Sequence, residues 1–476
     1  MHITHPVAQA LLSKELADNW KKVAGWLAQA KYSVDDLRLS QANERAVSDI
    51  NFKVHTAKKQ FIQATADWIV QTDITRFYPS IYTHSIPWAA YGKAKVKEDI
   101  KLFSGSLADR LDILVRATNR NQTIGIPIGP ETSRIIAEIV SSRVDREFAE
   151  RLKTLKSNQV DRLQDDWFIG VSSLSEAEKV LSDVSHVYRE FGLEINGSKT
   201  SIERVVKTTP LEWKSELSAF LSHRSGRLTG TRLREFLELS ARIQAKFPMD
   251  PVVNYALSVV ETKTYVTDDA EILESFLLKA ASLSPGSLDK ICRVLINVDR
   301  ETGGISKKRV TERFTRLMER NFENGNLYEV IWLAYAIRGL KQRLQSKLVS
   351  ELCEFQNGSA LPLILLDMHS KGLVARKLPV ATWEASISPD RVEKDWIWLL
   401  AYEGIRRGWL TDHRGVMSKR LFKPLNDHSI SFYDTTKNVV RSRKAVTLRY
   451  TKAKSQGLAA ATLMRYLRGF EDWWDY

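Results

Sequence analysis

Three short segments in the first half of the chain constrain its fold more than any other feature. They are residues 72–80 (TDITRFYPS), 122–130 (QTIGIPIGP) and 164–169 (QDDWFI). The first places a single aspartate, Asp73, after the strand-like residues 66–71. The second is a Gly/Pro-rich loop that opens a helix, and the third places Asp165 and Asp166 before the strand-like residues 167–171. Any one of these patterns is common, but all three in this order are hard to obtain by chance.

Carboxylates that follow or precede neighbouring strands can meet at one edge of a sheet and hold divalent cations. Nucleotidyl transfer uses two such cations about 3.5–4 Å apart, which clamp the attacking and leaving oxygens. Mg²⁺ usually binds through one or two carboxylates together with substrate phosphates. Successive strand residues point to opposite faces, so only one of Asp165 and Asp166 can face a metal squarely. The layout is that of a polymerase palm.

Together the segments resemble motifs A, B and C of reverse transcriptases. The amino-acid sequence of residues 72–89 (TDITRFYPSIYTHSIPWA) is most similar to those of abortive-infection and other defence-associated bacterial reverse transcriptases. This resemblance covers residues 65–205 and implies two Mg²⁺ ions, with Mn²⁺ as an alternative. It implies a metal site formed by Asp73, Asp165 and Ile74, with Asp166 beside it or facing the primer end.

The resemblance also implies residues around an incoming dNTP. Tyr78, five positions after Asp73, stands where an aromatic ring excludes a 2′-hydroxyl; the alternative is a packed core aromatic. Glycines in the second segment allow close approach of the backbone to a ligand, and prolines stiffen it. The basic residues before the first segment are candidates for the triphosphate, and the choice among them stays open. The implied nucleotide-binding set is Tyr78, Phe77, Gln122, Gly125, Pro127, Gly129 and Lys58, with Arg45, Lys53 and Lys59 as further basic candidates.

A fourth segment fits the same family. Residues 177–191 read as an amphipathic helix that ends at Gly192. The pattern at residues 192–200 (GLEINGSKT) resembles motif D, whose lysine lies near the triphosphate and can protonate pyrophosphate. Lys199 is therefore the fourth catalytic candidate beside the three aspartates, and a solvated loop lysine is the alternative.

One departure from the family pattern lies just before the aspartate pair. Most reverse transcriptases have an aromatic residue two positions before the first aspartate, where this chain has Leu163 and Gln164 between residues 160–162 (VDR) and the pair. The polar character of residues 160–162 is unusual for a core strand. We expect a looser fit around the primer terminus, and still an active enzyme, because both aspartates are present.

Composition limits the class of protein. The chain has 476 residues, two cysteines and no 18-residue apolar run, and its first residues lack an export signal. These features predict a cytoplasmic bacterial protein without a disulfide framework, a zinc site or a membrane span. The net charge of +14 indicates a polyanionic partner. Residues 1–225 hold 31 Lys and Arg against 28 Asp and Glu, so most of the excess lies in residues 226–476.

The basic excess is densest near the C-terminus. Ten basic and two acidic residues lie between Lys419 and Lys454, with Phe432, Tyr433 and Tyr450 among them. Phosphate contacts with base stacking are the functional interpretation, and a solvated basic face is the alternative. The candidate nucleic-acid-binding residues are Lys437, Arg441, Arg443, Lys444 and Arg449.

The second half of the chain is predicted to be helical. The expected class is α+β, with reverse-transcriptase fingers and palm in residues 1–225 and an all-α HEAT-like helical-repeat domain in residues 226–476. The resemblance implies the same pairing, since abortive-infection reverse transcriptases commonly carry such a C-terminal domain and tend to form oligomers. No clean repeating motif is present. The predicted helices are residues 231–247, 252–263, 270–283, 287–298, 307–321, 327–340, 342–355 and 392–407.

The resemblance implies a DNA polymerase that acts in antiphage defence. Relatives extend DNA without a conventional template and prime from a protein hydroxyl, and Tyr32 is one candidate primer; a tyrosine with no such role is the alternative. Two other functions stay open. One is a reverse transcriptase templated by a noncoding RNA, with a second defence protein as a further partner. The other is a nucleic-acid-binding scaffold with a catalytically weak palm. A homo-oligomer is expected, and Trp473 and Trp474 form an apolar end for packing or a subunit contact.

Overall fold

The computed structural model describes residues 3–39, 46–207, 212–222, 227–248, 250–354 and 358–436. The chain divides into two compact units, Met1–Pro210 and a second that begins at Leu211. The domain boundary expected between residues 225 and 226 stays a prediction. No helix in the described ranges combines the length and the apolarity that a bilayer crossing requires.

The first unit combines one small sheet with helices on both of its faces. Its strands are β1 (Trp68–Thr72), β2 (Val160–Leu163), β3 (Asp166–Val171) and β4 (Ser201–Arg204). Its helices are α1 (Pro6–Asp18), α2 (Trp20–Leu27), α3 (Phe52–Thr65), α4 (Phe77–Ser80), α5 (Ser85–Tyr91), α6 (Lys93–Glu98), α7 (Leu107–Thr118), α8 (Glu131–Arg151) and α9 (Leu174–Glu190).

The sheet is antiparallel, with the strand order β2-β3-β1-β4. Thr72 at the end of β1 pairs with Trp167 near the start of β3. Leu163 pairs with Asp166, so β2 and β3 form a hairpin with a two-residue turn. This register brings the residue that follows β1 next to the turn between β2 and β3. The two strands predicted to carry the carboxylates are therefore neighbours.

The two faces of the sheet pack differently. On one face, the Trp167 indole donates a hydrogen bond of 2.8 Å to the Tyr188 hydroxyl of α9 and lies edge-on to Phe148 of α8. On the other face, α3 packs so closely that a Cβ on Gly170 would lie 2.5 Å from Cγ2 of Ile62. Glycine at this position of β3 is thus required by the approach of α3.

Strand β2 is buried along its whole length despite its polar sequence. Asp161 contacts His55 of α3 at 2.5 Å, and Arg162 pairs with Glu138 and Asp145 of α8. Charged side chains enter this core strand because each has an oppositely charged partner or a histidine within reach.

The second unit is helical wherever the structure describes a regular element. Its helices are α10 (Glu212–Ser222), α11 (Gly230–Lys246), α12 (Val252–Glu261), α13 (Thr267–Leu283), α14 (Leu288–Thr302), α15 (Lys307–Glu323), α16 (Leu327–Gly339), α17 (Ser346–Cys353), α18 (Ala360–Ser370), α19 (Val380–Ser386), α20 (Pro389–Lys394), α21 (Trp398–Arg406) and α22 (Phe422–Asp427). Helix α14 packs against α12, α13 and α16. The HEAT-like repeat stays a prediction.

The predicted helix at residues 392–407 is wrong as a single element. Helix α20 ends before Asp395, whose backbone is extended, and α21 begins at Trp398. The Asp395 carboxylate accepts the backbone N–H of Trp396 at 2.6 Å, so the side chain competes with the helical hydrogen bond.

Candidate active site

The segment after β1 is fixed by the segment that resembles motif D. The Asn196 N–H donates to the Asp73 carbonyl at 2.7 Å, and the Thr75 N–H donates to the Glu194 carbonyl at 2.8 Å. Asp73 is only 6% exposed. This pairing places the Asp73 side chain beside the turn that carries Lys199.

Lys199 lies at the end of a short 3₁₀ turn, Gly197–Lys199. The Asn196 side chain accepts the Ser198 N–H at 3.1 Å at the start of that turn. The Lys199 ammonium contacts the Asp73 carboxylate directly. That hydrogen bond raises the pKa of Lys199, so the side chain is held as a cation.

Asp165 occupies the two-residue turn between β2 and β3. Gln164, the other turn residue, has a φ of 56°, which is uncommon for a residue other than glycine. The carboxyl groups of Asp165 and Asp73 lie within hydrogen-bonding reach of each other. Burial, followed by that hydrogen bond and the Asp73 charge, raises the pKa of Asp165 to about 8. Burial also works against the charge on Asp73, but hydrogen bonds from Asp165 and Lys199 outweigh it and lower the pKa of Asp73.

The donor set fits divalent cations held in part by substrate. Asp73 and Asp165 supply two adjoining carboxylates, which with phosphate oxygens is the ligand set that Mg²⁺ prefers. The described residues contain no group of three or more His, Cys, Asp or Glu side chains arranged as a complete metal site. Ile74 has a hydrocarbon side chain, which is buried, so only its main-chain carbonyl can serve as a ligand. Asp166 is exposed at the start of β3.

Tyr78 lies next to the Asp165 turn. Its hydroxyl donates to the Gln164 side-chain oxygen at 3.3 Å, and burial raises the pKa of Tyr78 to about 12. Phe77 is 4% exposed and lies edge-on to the Tyr78 ring at 5.5 Å. The structure therefore brings Tyr78 to the site with the aspartates and places Phe77 in the core beneath it.

The loop that resembles motif B is bonded to the segment around α4. The Gly125 N–H donates to the Ile81 carbonyl at 2.9 Å, and the Ile126 N–H donates to the Tyr78 carbonyl at 3.0 Å. Gly125 has a φ of 87°, and a Cβ there would lie 3.1 Å from the Pro79 carbonyl oxygen. Pro127 is buried, whereas Gln122 and Gly129 are exposed. Glycine is needed at position 125 both for its backbone angle and for this close approach.

Lys58 contacts Tyr32 and lies in the electrostatic range of Asp161 and Asp145. The Lys58 ammonium donates to the Tyr32 carbonyl at 3.1 Å, and burial lowers the pKa of Lys58. The Tyr32 hydroxyl donates to the Leu155 carbonyl at 3.4 Å, and the residue is 3% exposed. To serve as a primer, this hydroxyl would have to leave the core. Lys59, in contrast, lies in the electrostatic range of Asp166.

Sequence reasoning missed a set of buried charges behind the site. Arg162 of β2 contacts Glu138 and Asp145 of α8, and none of the three is more than 2% exposed. Polar positions 134, 138 and 145 share one side of a helix whose other side carries isoleucines. That spacing was the available signal.

Several predicted residues lie outside the part of the chain that the structure describes. They are Arg45, Lys437, Arg441, Arg443, Lys444, Arg449, Trp473 and Trp474. Their assigned roles stay predictions.

A protein-family model for reverse transcriptase (RNA-dependent DNA polymerase) matches residues 17–231. The match includes Asp73, Tyr78, Asp165, Asp166 and Lys199. No curated protein matches the chain. The matched range spans the segments whose two carboxylates and lysine the structure places at one sheet edge. The chain therefore contains a reverse transcriptase domain, a nucleotidyltransferase of the polymerase type.

Proposed function

We propose that the protein is a DNA polymerase of the reverse-transcriptase type that acts in antiphage defence. The observation that carries the catalytic part is the direct contact of the Lys199 ammonium with Asp73, whose carboxyl group adjoins that of Asp165. Three groups from three separate segments meet there. They match what dNTP polymerisation needs, namely carboxylates for metal and a cation for the triphosphate.

Each group has a role in the proposed reaction. Asp73 and Asp165 would hold Mg²⁺ or Mn²⁺ together with the main chain of Ile74. When bound, such cations would stabilise the negative charge on the attacking oxygen of the primer and on the leaving pyrophosphate. Lys199 exchanges Asp73 for the triphosphate and donates a proton to pyrophosphate as it leaves. Asp166 stays beside the primer end.

Tyr78 selects the sugar of the nucleotide in this proposal. Its hydroxyl is held by Gln164, one residue before Asp165, so the ring is fixed relative to the metal site. A 2′-hydroxyl would meet the ring, and dNTPs would be favoured. The buried Gly125 and Pro127 and the exposed Gln122 and Gly129 would contact the nucleotide in this proposal.

The role in defence is supported by the resemblance of residues 72–89 to abortive-infection enzymes. The basic excess of residues 226–476 supports contact with DNA product or RNA. Protection of cells should depend on the carboxylates if synthesis is what stops the phage. We expect Asp165→Asn to lose protection in a phage plating assay and Asp67→Asn, an exposed aspartate of the same unit, to keep it. Protection by Asp165→Asn would favour the scaffold function.

Priming and templating need separate experiments. A protein hydroxyl is the proposed primer, and a covalent protein–DNA adduct that survives denaturation would support it. Tyr32→Phe tests this residue directly, because it removes the hydroxyl. Loss of the adduct in that variant would identify Tyr32 as the primer and would mean that its buried side chain leaves the core during synthesis. A single discrete RNA that co-purifies with the protein would instead favour the RNA-templated enzyme.

A further inference from the structure

Arg162 is wholly buried behind the turn that carries Asp165. Its Nε donates to Oδ2 of Asp145 at 2.9 Å, and its Nη2 donates to Oε1 of Glu138 at 2.7 Å. Its Nη1 donates to the Gln164 carbonyl at 2.8 Å. One guanidinium therefore connects two carboxylates of α8 to the main chain of the catalytic turn.

The Gln164 carbonyl is the main-chain acceptor directly before Asp165. Gln164 adopts a left-handed backbone, and such conformations persist only where their surroundings fix them. The hydrogen bond from Arg162 supplies one fixing contact through the main chain. Tyr78 supplies another through the Gln164 side chain.

The carboxylates that orient Arg162 are themselves held by an N-terminal segment. Asp145 accepts the N–H groups of Lys31 and Ser33 at 2.7 and 3.1 Å, and Glu138 accepts the Ser33 hydroxyl at 2.9 Å. The Val34 N–H donates to the Arg162 carbonyl at 3.0 Å. The N-terminal segment and helix α8 together hold the guanidinium in place. Its hydrogen bond to the Gln164 carbonyl holds that carbonyl in place as well.

Stability alone is a weak reason for these charges. Buried ion pairs often contribute no more than well-packed apolar residues of the same volume, because the charges lose their hydration. A planar fork, unlike an ammonium, can satisfy two carboxylates and a carbonyl at once. Helix α8 offers a comparison, since the guanidinium of its Arg134 donates to the Asp35 carboxylate at 2.6 Å and to the Ser48 carbonyl at 2.8 Å.

We propose that Arg162 is a positioning residue that sets the place of Asp165 in the metal site through the Gln164 carbonyl. The inference rests on the proposed polymerase function. Arg162 thus orients the proposed metal-binding carboxylate of Asp165 without touching it.

The test compares Arg162→Lys with Arg134→Lys in the full-length protein. Each variant keeps its positive charge and loses its fork. The measurements are thermal midpoint, Mn²⁺ affinity by electron paramagnetic resonance without nucleotide, and kcat and KM for dNTP. Arg162→Lys should weaken Mn²⁺ binding and lower kcat by about 10–100-fold, the usual effect of changing groups that orient metal ligands. KM for dNTP should stay within about threefold, and Arg134→Lys should leave Mn²⁺ affinity unchanged.

A second variant covers the case in which lysine does not fold at this position. The triple change Arg162→Met, Glu138→Gln and Asp145→Asn removes all three charges together, so no unpaired charge remains. It should fold and still bind Mn²⁺ at least about tenfold more weakly. Wild-type Mn²⁺ affinity in either folded Arg162 variant, or an equal loss in Arg134→Lys, would overturn the inference. Wild-type protein that binds Mn²⁺ but incorporates no nucleotide would instead overturn the proposed function.

Discussion

The Lys199 ammonium contacts the Asp73 carboxylate although the two residues are 126 positions apart in sequence. The contact depends on the pairing of residues 194–196 with the segment after β1. Lys199 is therefore the counter-charge of the carboxylate that we propose as a metal ligand. In the proposed reaction the lysine has to leave Asp73 for the triphosphate.

Replacing Lys199 should separate binding from catalysis. Lys199→Met removes the proton donor and should lower kcat by about 10²-fold. It should also tighten Mn²⁺ binding in the absence of nucleotide, since no ammonium competes for Asp73. Steady-state kinetics and a Mn²⁺ titration measure the two effects. Lys199→Arg, which keeps the charge, is the control and should bind Mn²⁺ as the wild type does.

Asp165→Asn should remove activity without loss of fold. The amide keeps a hydrogen bond to Asp73 and cannot carry a negative charge, so the like-charge contact disappears while metal binding is lost. We expect incorporation to fall by at least about 10³-fold and the thermal midpoint at pH 8 to stay level or rise. Asp67→Asn should change neither quantity. An inactive variant that also unfolds would leave loss of structure as the cause.

Mn²⁺ affinity should depend on pH through Asp165. The pKa of this group is raised to about 8 in the folded protein, so below that pH a cation must displace a proton. Affinity should rise as pH increases from 6 to about 8 and then level off. The metal-free fold should become less stable over the range from the ordinary aspartate pKa up to about 8, because the unfolded chain then binds fewer protons. Asp165→Asn should lose both dependences.

Substitution of Tyr78 should change sugar selection. Tyr78→Ala removes the ring and should let rNTPs compete, whereas Tyr78→Phe keeps the ring and loses only the hydrogen bond to Gln164. We expect the ratio of kcat/KM for dNTP over rNTP to fall in the alanine variant by at least about tenfold, with a smaller change in the phenylalanine variant. Equal ratios in wild type and Tyr78→Ala would contradict the gate.

Gly170→Ala tests the packing of α3 on the sheet. The added Cβ would meet Cγ2 of Ile62 and Cβ of Ala66 at 2.5 and 2.7 Å. We expect a loss of about 1–3 kcal/mol in the free energy of unfolding. Gly25→Ala, in open space on α2, should instead be neutral or stabilising. Ile62→Ala should cost less in the Gly170→Ala background than in wild type, since it removes the clash.

The strand-like residues beside Asp73 and Asp165 predicted that these two aspartates lie on neighbouring strands. In the structure β1 pairs with β3, which brings Asp73 close to the turn that carries Asp165. Lys199 could be assigned only through the family resemblance, since nothing local fixes a loop lysine to a carboxylate 126 residues away. Most helices of the second unit follow their apolar periodicity to within a few residues.

Other features depend on tertiary contacts that no local pattern contains. Asp161 and Arg162 are charged, yet they lie in a buried strand, and α8 supplies Glu138 and Asp145 opposite Arg162. The Lys58 ammonium is turned inward by the Tyr32 carbonyl, which no property of residues 53–59 indicates. Helix α18 begins with Pro362 in its first turn and was not predicted, although proline is tolerated there.

The most direct test is incorporation of single labelled dNTPs by the purified protein with Mg²⁺, separated on a denaturing gel. The account predicts incorporation by wild type and its loss in Asp73→Ala and Asp165→Asn. Label at the mass of the protein would mean protein priming, and free DNA that disappears after ribonuclease pretreatment would mean an RNA template. Incorporation that persists in both aspartate variants, or none in the wild type with Mg²⁺ or Mn²⁺, would contradict the polymerase site described above.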